Sequence, residues 1–288
     1  MTDDLIKEGI RQIIAGGSAG LIEVCTLHPL DLVKTRLQLP NNKGMMHCIA
    51  STYKHEGVLG FYKGIIPPIL ASTPKTAIRF LTYEQYKKVL CDPDVHPTLG
   101  LSMAGLLSGM TEAVIVCPLD VVKVNLQADH SAKGKNTIEM AKSIYNENGF
   151  GRNGLYRAVW TTMLRNGLFN MFYFGIYDGF QPNLPDPKDH PTAIFFSKVL
   201  LGFVAGAIGS CSNIHLDVAK TRIQGPQPDP KIRKYYGMTQ TIRVVYNEEG
   251  ARALCRGLLP KIMRLGPGGA IMIIAYEHID GFLKRSFN

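Results

Sequence analysis

Pro29-Leu-Asp31-Leu-Val-Lys34-Thr-Arg36-Leu-Gln38 returns as Pro118-Leu-Asp120-Val-Val-Lys123-Val-Asn125-Leu-Gln127, and again as His215-Leu-Asp217-Val-Ala-Lys220-Thr-Arg222-Ile-Gln224. From Pro29 to Pro118 is 89 residues and from Pro118 to His215 is 97, too regular for accident and too long for a solenoid unit. Acid, base and glutamine keep their offsets in all three copies. Three copies of one charged helix end imply a pseudo-threefold object, and such an object encloses an axis.

The 288 residues therefore read as one domain of three repeats, 1–92, 93–185 and 186–288, none apolar enough to stand alone. Mean hydropathy near zero does not by itself separate a soluble protein from a membrane protein. The formal net charge of +9 points to an anionic partner: a membrane surface, nucleic acid or small acids. No basic run with interleaved aromatic residues occurs, so nucleic acid is not the expected partner. Six cysteines show no CxxC pair and no metal-ligand spacing, and they read as small buried apolar side chains. Neither metal nor cofactor is expected. Met1-Thr-Asp-Asp4 carries no apolar signal region or Arg/Ser-rich transit segment, so an organelle address would be internal.

Two stretches approach the length needed to cross ~30 Å of hydrocarbon. Val199–Leu216 carries no formal charge, and Leu99–Leu119 is interrupted only by Glu112. The other candidate helices contain Glu23, Lys75, Arg79, Arg165 or Arg264. Charges at that depth are costly unless they face a wet cavity or one another. Six helices around a water-filled centre resolve the conflict. Gly16-x-x-x-Gly20, Gly105-x-x-x-Gly109 and Gly202-x-x-x-Gly206 each end nine residues before the Pro/His position, a spacing that lets helices in lipid approach closely.

Each repeat reads as a long helix, a charged end, a short surface helix and a second long helix. The first helices are expected at 12–38, 98–127 and 193–224, and the second at 70–90, 160–180 and 260–284. Amphipathic surface helices are expected at 46–56, 137–147 and 239–249, with Glu56-Gly57, Gly149 and Glu249-Gly250 as turns. Pro-rich 182–191 and 225–230 read as loops. The fold class is all-α membrane: six transmembrane helices in three pseudo-threefold repeats around a central cavity.

Brought together by the pseudo-threefold axis, Asp31, Asp120 and Asp217 can pair with Lys34, Lys123 and Lys220, each pair joining neighbouring repeats and closing one mouth. A wet ion pair contributes only about 0–1 kcal/mol, and burial adds a desolvation cost. Such marginal strength suits a gate that must break in every cycle.

The tripled motif, and Phe61-Tyr-Lys-Gly64, Phe169-Asn-Met-Phe-Tyr-Phe-Gly175 and Lys261-Ile-Met-Arg-Leu-Gly-Pro-Gly-Gly-Ala270 with it, resembles the mitochondrial carrier family over nearly the whole chain. The resemblance implies six tilted spans, an inner-membrane location among lipids such as cardiolipin, a monomer, and exchange by alternating access. It makes the Asp/Lys ring a matrix gate and Gln38, Gln127 and Gln224 its braces. It also implies a cytosolic gate, whose aromatic-acid-x-x-base mark survives as Tyr83-Glu84-Gln-Tyr-Lys87. That mark decays to Tyr177-Asp178-Gly-Phe-Gln181 and Tyr276-Glu277-His-Ile-Asp280, leaving one cation, Lys87, against Glu84, Asp178 and Glu277. The chain departs from the pattern at His215 for proline, Asn125 for the second base and Ala158 for a glycine; His215 implies less bending at that helix end.

Arg165 lies 13 residues before Asp178, and Arg264 lies 13 before Glu277. Both are therefore ~20 Å from that mouth, near mid-membrane. Lys75 and Arg79 follow Ala71, the equivalent place on the remaining helix. Arginine binds carboxylate bidentately and stays charged, so two arginines on different helices suit a substrate with two carboxylates. Asn166 can donate to a ketone oxygen, and the Arg-Asn pair resembles the family's keto-acid pattern. Glu23 and Glu112, each six residues before the motif proline, neutralise the arginines, hold them ready or carry a proton. No nucleophile–base set or phosphate loop competes, so no enzyme is expected. The expectation is an exchanger of 2-oxodicarboxylates such as 2-oxoadipate and 2-oxoglutarate, these compounds resting on the resemblance. The alternative is a carrier of a plain dicarboxylate, a tricarboxylate or an acidic amino acid.

Overall fold

The computed structural model describes residues 2–40, 44–90, 97–130, 135–180, 191–228 and 233–286. Among these residues lie nine α-helices: α1 (Thr2–Gln38), α2 (Met45–Glu56), α3 (Ile66–Leu90), α4 (Pro97–Ala128), α5 (Thr137–Asn148), α6 (Val159–Phe180), α7 (Pro191–Gln224), α8 (Met238–Glu249) and α9 (Leu258–Ser286). Boundaries fall close to those read from periodicity, except that α1 starts about three turns early.

The short helices α2, α5 and α8 end alike. Gly57, Gly149 and Gly250 follow them at φ of 69, 71 and 79°, and each backbone N–H returns to a tyrosine carbonyl, Tyr53, Tyr145 or Tyr246. Left-handed backbone is where glycine has no Cβ penalty, so the turn recurs in every repeat.

The six long helices pack in a closed cycle: α1 on α3, α3 on α4, α4 on α6, α6 on α7, α7 on α9, and α9 back on α1. The odd members α1, α4 and α7 also touch one another, so they converge at one end. The tightest seam is α4 against α6. A Cβ on Gly105 would stand 2.6 Å from the Asn170 carbonyl oxygen, and one on Gly109 2.5 Å from that of Asn166. Only this GxxxG brings two backbones together. Nothing lies within 4 Å of a Cβ at Gly16 or Gly20, and Gly202 and Gly206 face side chains.

Thr98–Ala128, Phe196–Gln224 and Ala251–Phe282 are long and apolar enough to cross a membrane. Charged residues on α1, α3 and α6 lower those helices' apolarity, but the residues are sorted by face. Leu21, Ile22, Phe80, Leu81, Trp160, Leu200 and Ile274 are exposed on the outside, while Arg165 and Glu112 are turned inward with side chains 19% and 3% exposed. Apolar outside and charged inside is the inverse of a water-soluble protein. The cysteines divide differently from expectation: Cys48 and Cys117 are buried, but Cys25, Cys211 and Cys255 are exposed. Cys91 lies outside the described residues.

Candidate functional site

Convergence of α1, α4 and α7 brings the three motifs together. Lys34 Nζ lies 3.1 Å from Asp217, Lys123 Nζ 3.1 Å from Asp31, and Lys220 Nζ 2.6 Å from Asp120. Every pair joins two repeats, and the ring shuts that end of the axis.

A second ring lies one helical turn further out. Arg36 Nε donates to the Gln127 carbonyl at 2.9 Å, Asn125 Nδ2 to the Gln224 carbonyl at 2.8 Å, and Arg222 Nε to the Gln38 carbonyl at 2.8 Å. The glutamines thus tie repeats together through their main chain. Their side chains make no hydrogen bond to the Asp/Lys pairs among the described residues. Gln38 Oε1 accepts from Thr221, Gln224 Nε2 donates to Thr162, and the Gln127 amide is buried without a partner. The arginine and asparagine side chains claim the glutamine carbonyls, which turns the amides away from the inner ring.

Arg36 and Arg222 also bind acids of their own repeat. Arg36 Nη1 is 2.7 Å from Glu56, which holds Lys63 Nζ at 2.8 Å, and Arg222 and Arg256 share Glu249. Burial alone would push the Glu56 carboxyl up, but hydrogen bonds from Arg36 and Lys63 outweigh it and hold it below its ordinary value. Hydrogen bonding from Arg222 does the same for Glu249. The Arg36–Glu56 side chains are 0% exposed, and losing one partner of such a pair costs about 3–5 kcal/mol. The Lys123–Asp31 pair is wetter, at 20% and 11% exposed. The Arg36–Glu56 and Arg222–Glu249 pairs lie within one repeat, whereas the inner Asp/Lys pairs join two repeats and are the ones that separate when repeats move apart.

Arg165 and Arg264 reach the inner ring itself. Arg165 Nε donates to Asp217 Oδ1 at 2.5 Å, and Arg264 Nη1 to Asp31 Oδ1 at 2.8 Å. Arg264 is also 3.4 Å from Glu23, but Arg165 is not neutralised by Glu112. Glu112 instead faces Lys75 at 3.6 Å and Arg79 at 3.8 Å, because the close α4–α6 seam turns it toward α3 and Asn166. Asn166 departs from its expected role. It is 4% exposed, its Oδ1 accepts from Arg165 at 2.7 Å and its Nδ2 donates to Glu112 at 3.2 Å, so it links those two groups and faces no open space.

Two residues given no role in the sequence analysis join this cluster. Lys261 Nζ lies 2.8 Å from Asp217 Oδ2 and 2.6 Å from Asn213 Oδ1, and Asn213 Nδ2 donates to the Arg165 carbonyl at 3.0 Å. The available signal was spacing: Lys261 is three residues before Arg264 and Asn213 four before Asp217, each on the same helical stripe.

At the opposite end the described gate residues do not pair with one another. No ion pair joins Glu84, Lys87 and Asp178 among the described residues. Asp178 accepts from Tyr83 Oη at 2.5 Å, and Lys87 Nζ lies 6.0 Å from the Tyr83 ring centre. The Glu277 side chain lies outside the described residues. Between this end and Arg165, Phe169, Tyr173 and Tyr177 stack at 6.0 and 5.8 Å along one stripe of α6. Among the described residues, no group of three or more His, Cys, Asp or Glu could hold a metal.

Among the described residues, the cations gather at the centre of the helix cycle, next to the end that the Asp/Lys pairs shut. Comparison with known proteins agrees with that shape. The model of the family described as mitochondrial carrier protein matches three times, at residues 7–94, 94–188 and 192–287. The chain is 48% identical to the mitochondrial 2-oxodicarboxylate carrier of Homo sapiens over 292 residues, 98% of this chain and 97% of that protein. It is 47% identical to the rat protein of that name over 98% of each chain. It is 34% identical to mitochondrial 2-oxodicarboxylate carrier 1 of Saccharomyces cerevisiae over 96% of this chain and 94% of that one. The chain belongs to the mitochondrial carrier family.

Proposed function

We propose that this chain exchanges 2-oxodicarboxylates, such as 2-oxoglutarate and 2-oxoadipate, across the mitochondrial inner membrane by alternating access. It is a multi-pass transporter and not an enzyme. The observation that carries the mechanism is that Arg165 and Arg264 are bonded to gate carboxylates, Asp217 and Asp31. An incoming diacid offers the same chemical group twice. As its carboxylates draw the guanidinium groups away, Asp217 and Asp31 lose partners and the closed mouth weakens. Binding then favours the open state through a contact that the closed state lacks, as any ligand-driven shift requires.

Lys75 and Arg79 supply the cations between the Lys87 mouth and Arg165, their side chains being 36% and 25% exposed and held by Glu112 at 3.6 and 3.8 Å. Asp31, Lys34, Asp120, Lys123, Asp217 and Lys220 serve as the matrix gate. Gln38, Gln127 and Gln224 brace it through their carbonyls. Glu84, Lys87, Asp178 and Glu277 serve as the cytosolic gate, and among the described residues no ion pair joins the first three. The reading takes the chain as one domain and a monomer, supported by a helix cycle that closes only when all three repeats contribute. Inner-membrane lipid is the partner of the outward apolar face.

The test is exchange of labelled 2-oxoglutarate in proteoliposomes against a panel of unlabelled acids. Wild type is expected to prefer 2-oxodicarboxylates over amino acids and tricarboxylates. Arg165→Ala is expected to lose at least about tenfold in rate, the weight of one charge-assisted bond. Equal exchange of every acid in the panel would contradict the reading.

A further inference from the structure

The three corners of the inner ring are unequal. Asp120 faces one cation, Lys220, and Asp31 faces two, Lys123 and Arg264. Asp217 faces three: Lys34 at 3.1 Å, Arg165 at 2.5 Å and Lys261 at 2.8 Å. One carboxylate cancels one charge, so Asp217 alone leaves a cationic surplus at its corner, Glu112 reaching Arg165 only through Asn166. That surplus is buried, the Lys261 and Asp217 side chains being 8% and 3% exposed. Surplus buried charge is costly unless an opposite charge arrives.

We propose that Lys261 and Arg165 form a carboxylate clamp of the substrate site. Asp217 fills it while the molecule is empty, and one carboxylate of the transported diacid takes Asp217's place. The proposal rests on the exchange reading above and extends it to a cation given no role in the sequence analysis. Asp217 presents itself as a bound carboxylate would, with Oδ1 on the guanidinium and Oδ2 on the ammonium. The clamp is held ready from outside the ring. Asn213 binds the Lys261 ammonium through its Oδ1 and the Arg165 carbonyl through its Nδ2, and the Phe169 ring lies 5.7 Å from Lys261 Nζ. Lys34 stands apart because it belongs to the gate motif. Once substrate holds the clamp, Asp217 keeps only Lys34, and the most heavily tied corner becomes a single pair like Asp120 with Lys220. Loading the site and loosening the gate are then one event at this corner.

The experiment compares wild type, Lys261→Gln and Lys261→Arg in proteoliposome exchange, using 2-oxoglutarate and its two half-amides, each lacking one carboxylate charge. Lys261→Gln is expected to raise the apparent KM for the diacid about ten- to a hundredfold, and Lys261→Arg to restore most of it. One half-amide, the one lacking the clamped carboxylate, is expected to bind both proteins equally. An unchanged KM, or the same loss for all three compounds, overturns the clamp and leaves Lys261 a purely structural partner of Asp217. If the glutamine variant does not fold, Lys261→Arg decides alone: an altered preference between five- and six-carbon diacids supports the clamp, and an unaltered one overturns it. Wild type that fails to exchange 2-oxoglutarate would instead remove the exchange reading itself.

Discussion

Ala158 has φ of +63°, where its counterparts in the other repeats are Gly64 and Gly257 at +70° and +84°. Among the described residues it is the one non-glycine with positive φ. Left-handed backbone costs an alanine about 1–2 kcal/mol, and glycine's freedom in the unfolded chain takes back about 0.4–1 kcal/mol. Ala158→Gly should therefore raise the melting temperature of the purified protein by a few degrees; a fall would contradict this account. The departure was legible in the sequence, since the pattern of the other two repeats called for glycine. Lys261 and Asn166 were not legible in the same way. A lysine three residues before an arginine says nothing of which carboxylate it meets. The burial of Asn166 follows from the α4–α6 approach, which depends on backbone geometry as well as on composition.

At the scale of elements, the middle repeat lacks a tie that the others have. Asn125 and Asn148 stand where the flanking repeats place Arg36 with Glu56 and Arg222 with Glu249, so base and acid are both missing. Arg157, counterpart of Lys63 and Arg256, is consequently buried with no ion pair among the described residues. Its Nη2 donates to the Gln224 carbonyl, its Nε has no partner, and burial pushes its pKa down to about 10, still charged at neutral pH. Asn148→Glu should supply the absent carboxylate and raise the melting temperature by about 2–4 °C, the yield of ~1 kcal/mol in a chain of this size. No change in melting temperature would show that the side chain at 148 does not reach Arg157. The two gates differ too, because three Asp/Lys pairs close one mouth while Lys87 is the only motif cation at the other. Lys123→Ala should accordingly alter the exchange rate more than Lys87→Ala, and the reverse order would contradict this. Helix positions were readable because apolar periodicity and the tripled motif agree. The unequal loading of the three aspartates was not, since it depends on which even-numbered span leans on which motif.

For the whole molecule, the cycle α1–α3–α4–α6–α7–α9 turns apolar side chains outward and gathers cations along its axis. Among the described residues a strict hydropathy window finds three spans, because inward charges on α3 and α6 dilute their apolar outer faces. The repeat supplied what hydropathy alone could not. On the proposed reading, Asp31 and Asp217 hold the arginines that substrate needs, so each passage must return them before the next. Reorientation without cargo would have to break the ring with nothing to replace the lost contacts. The most direct test is uptake of labelled 2-oxoglutarate into liposomes preloaded with unlabelled 2-oxoglutarate, set beside uptake into liposomes containing buffer alone. Fast uptake into the loaded vesicles and almost none into the others is the predicted result; equal rates in both would mean that substrate does not compete with the aspartates for Arg165 and Arg264.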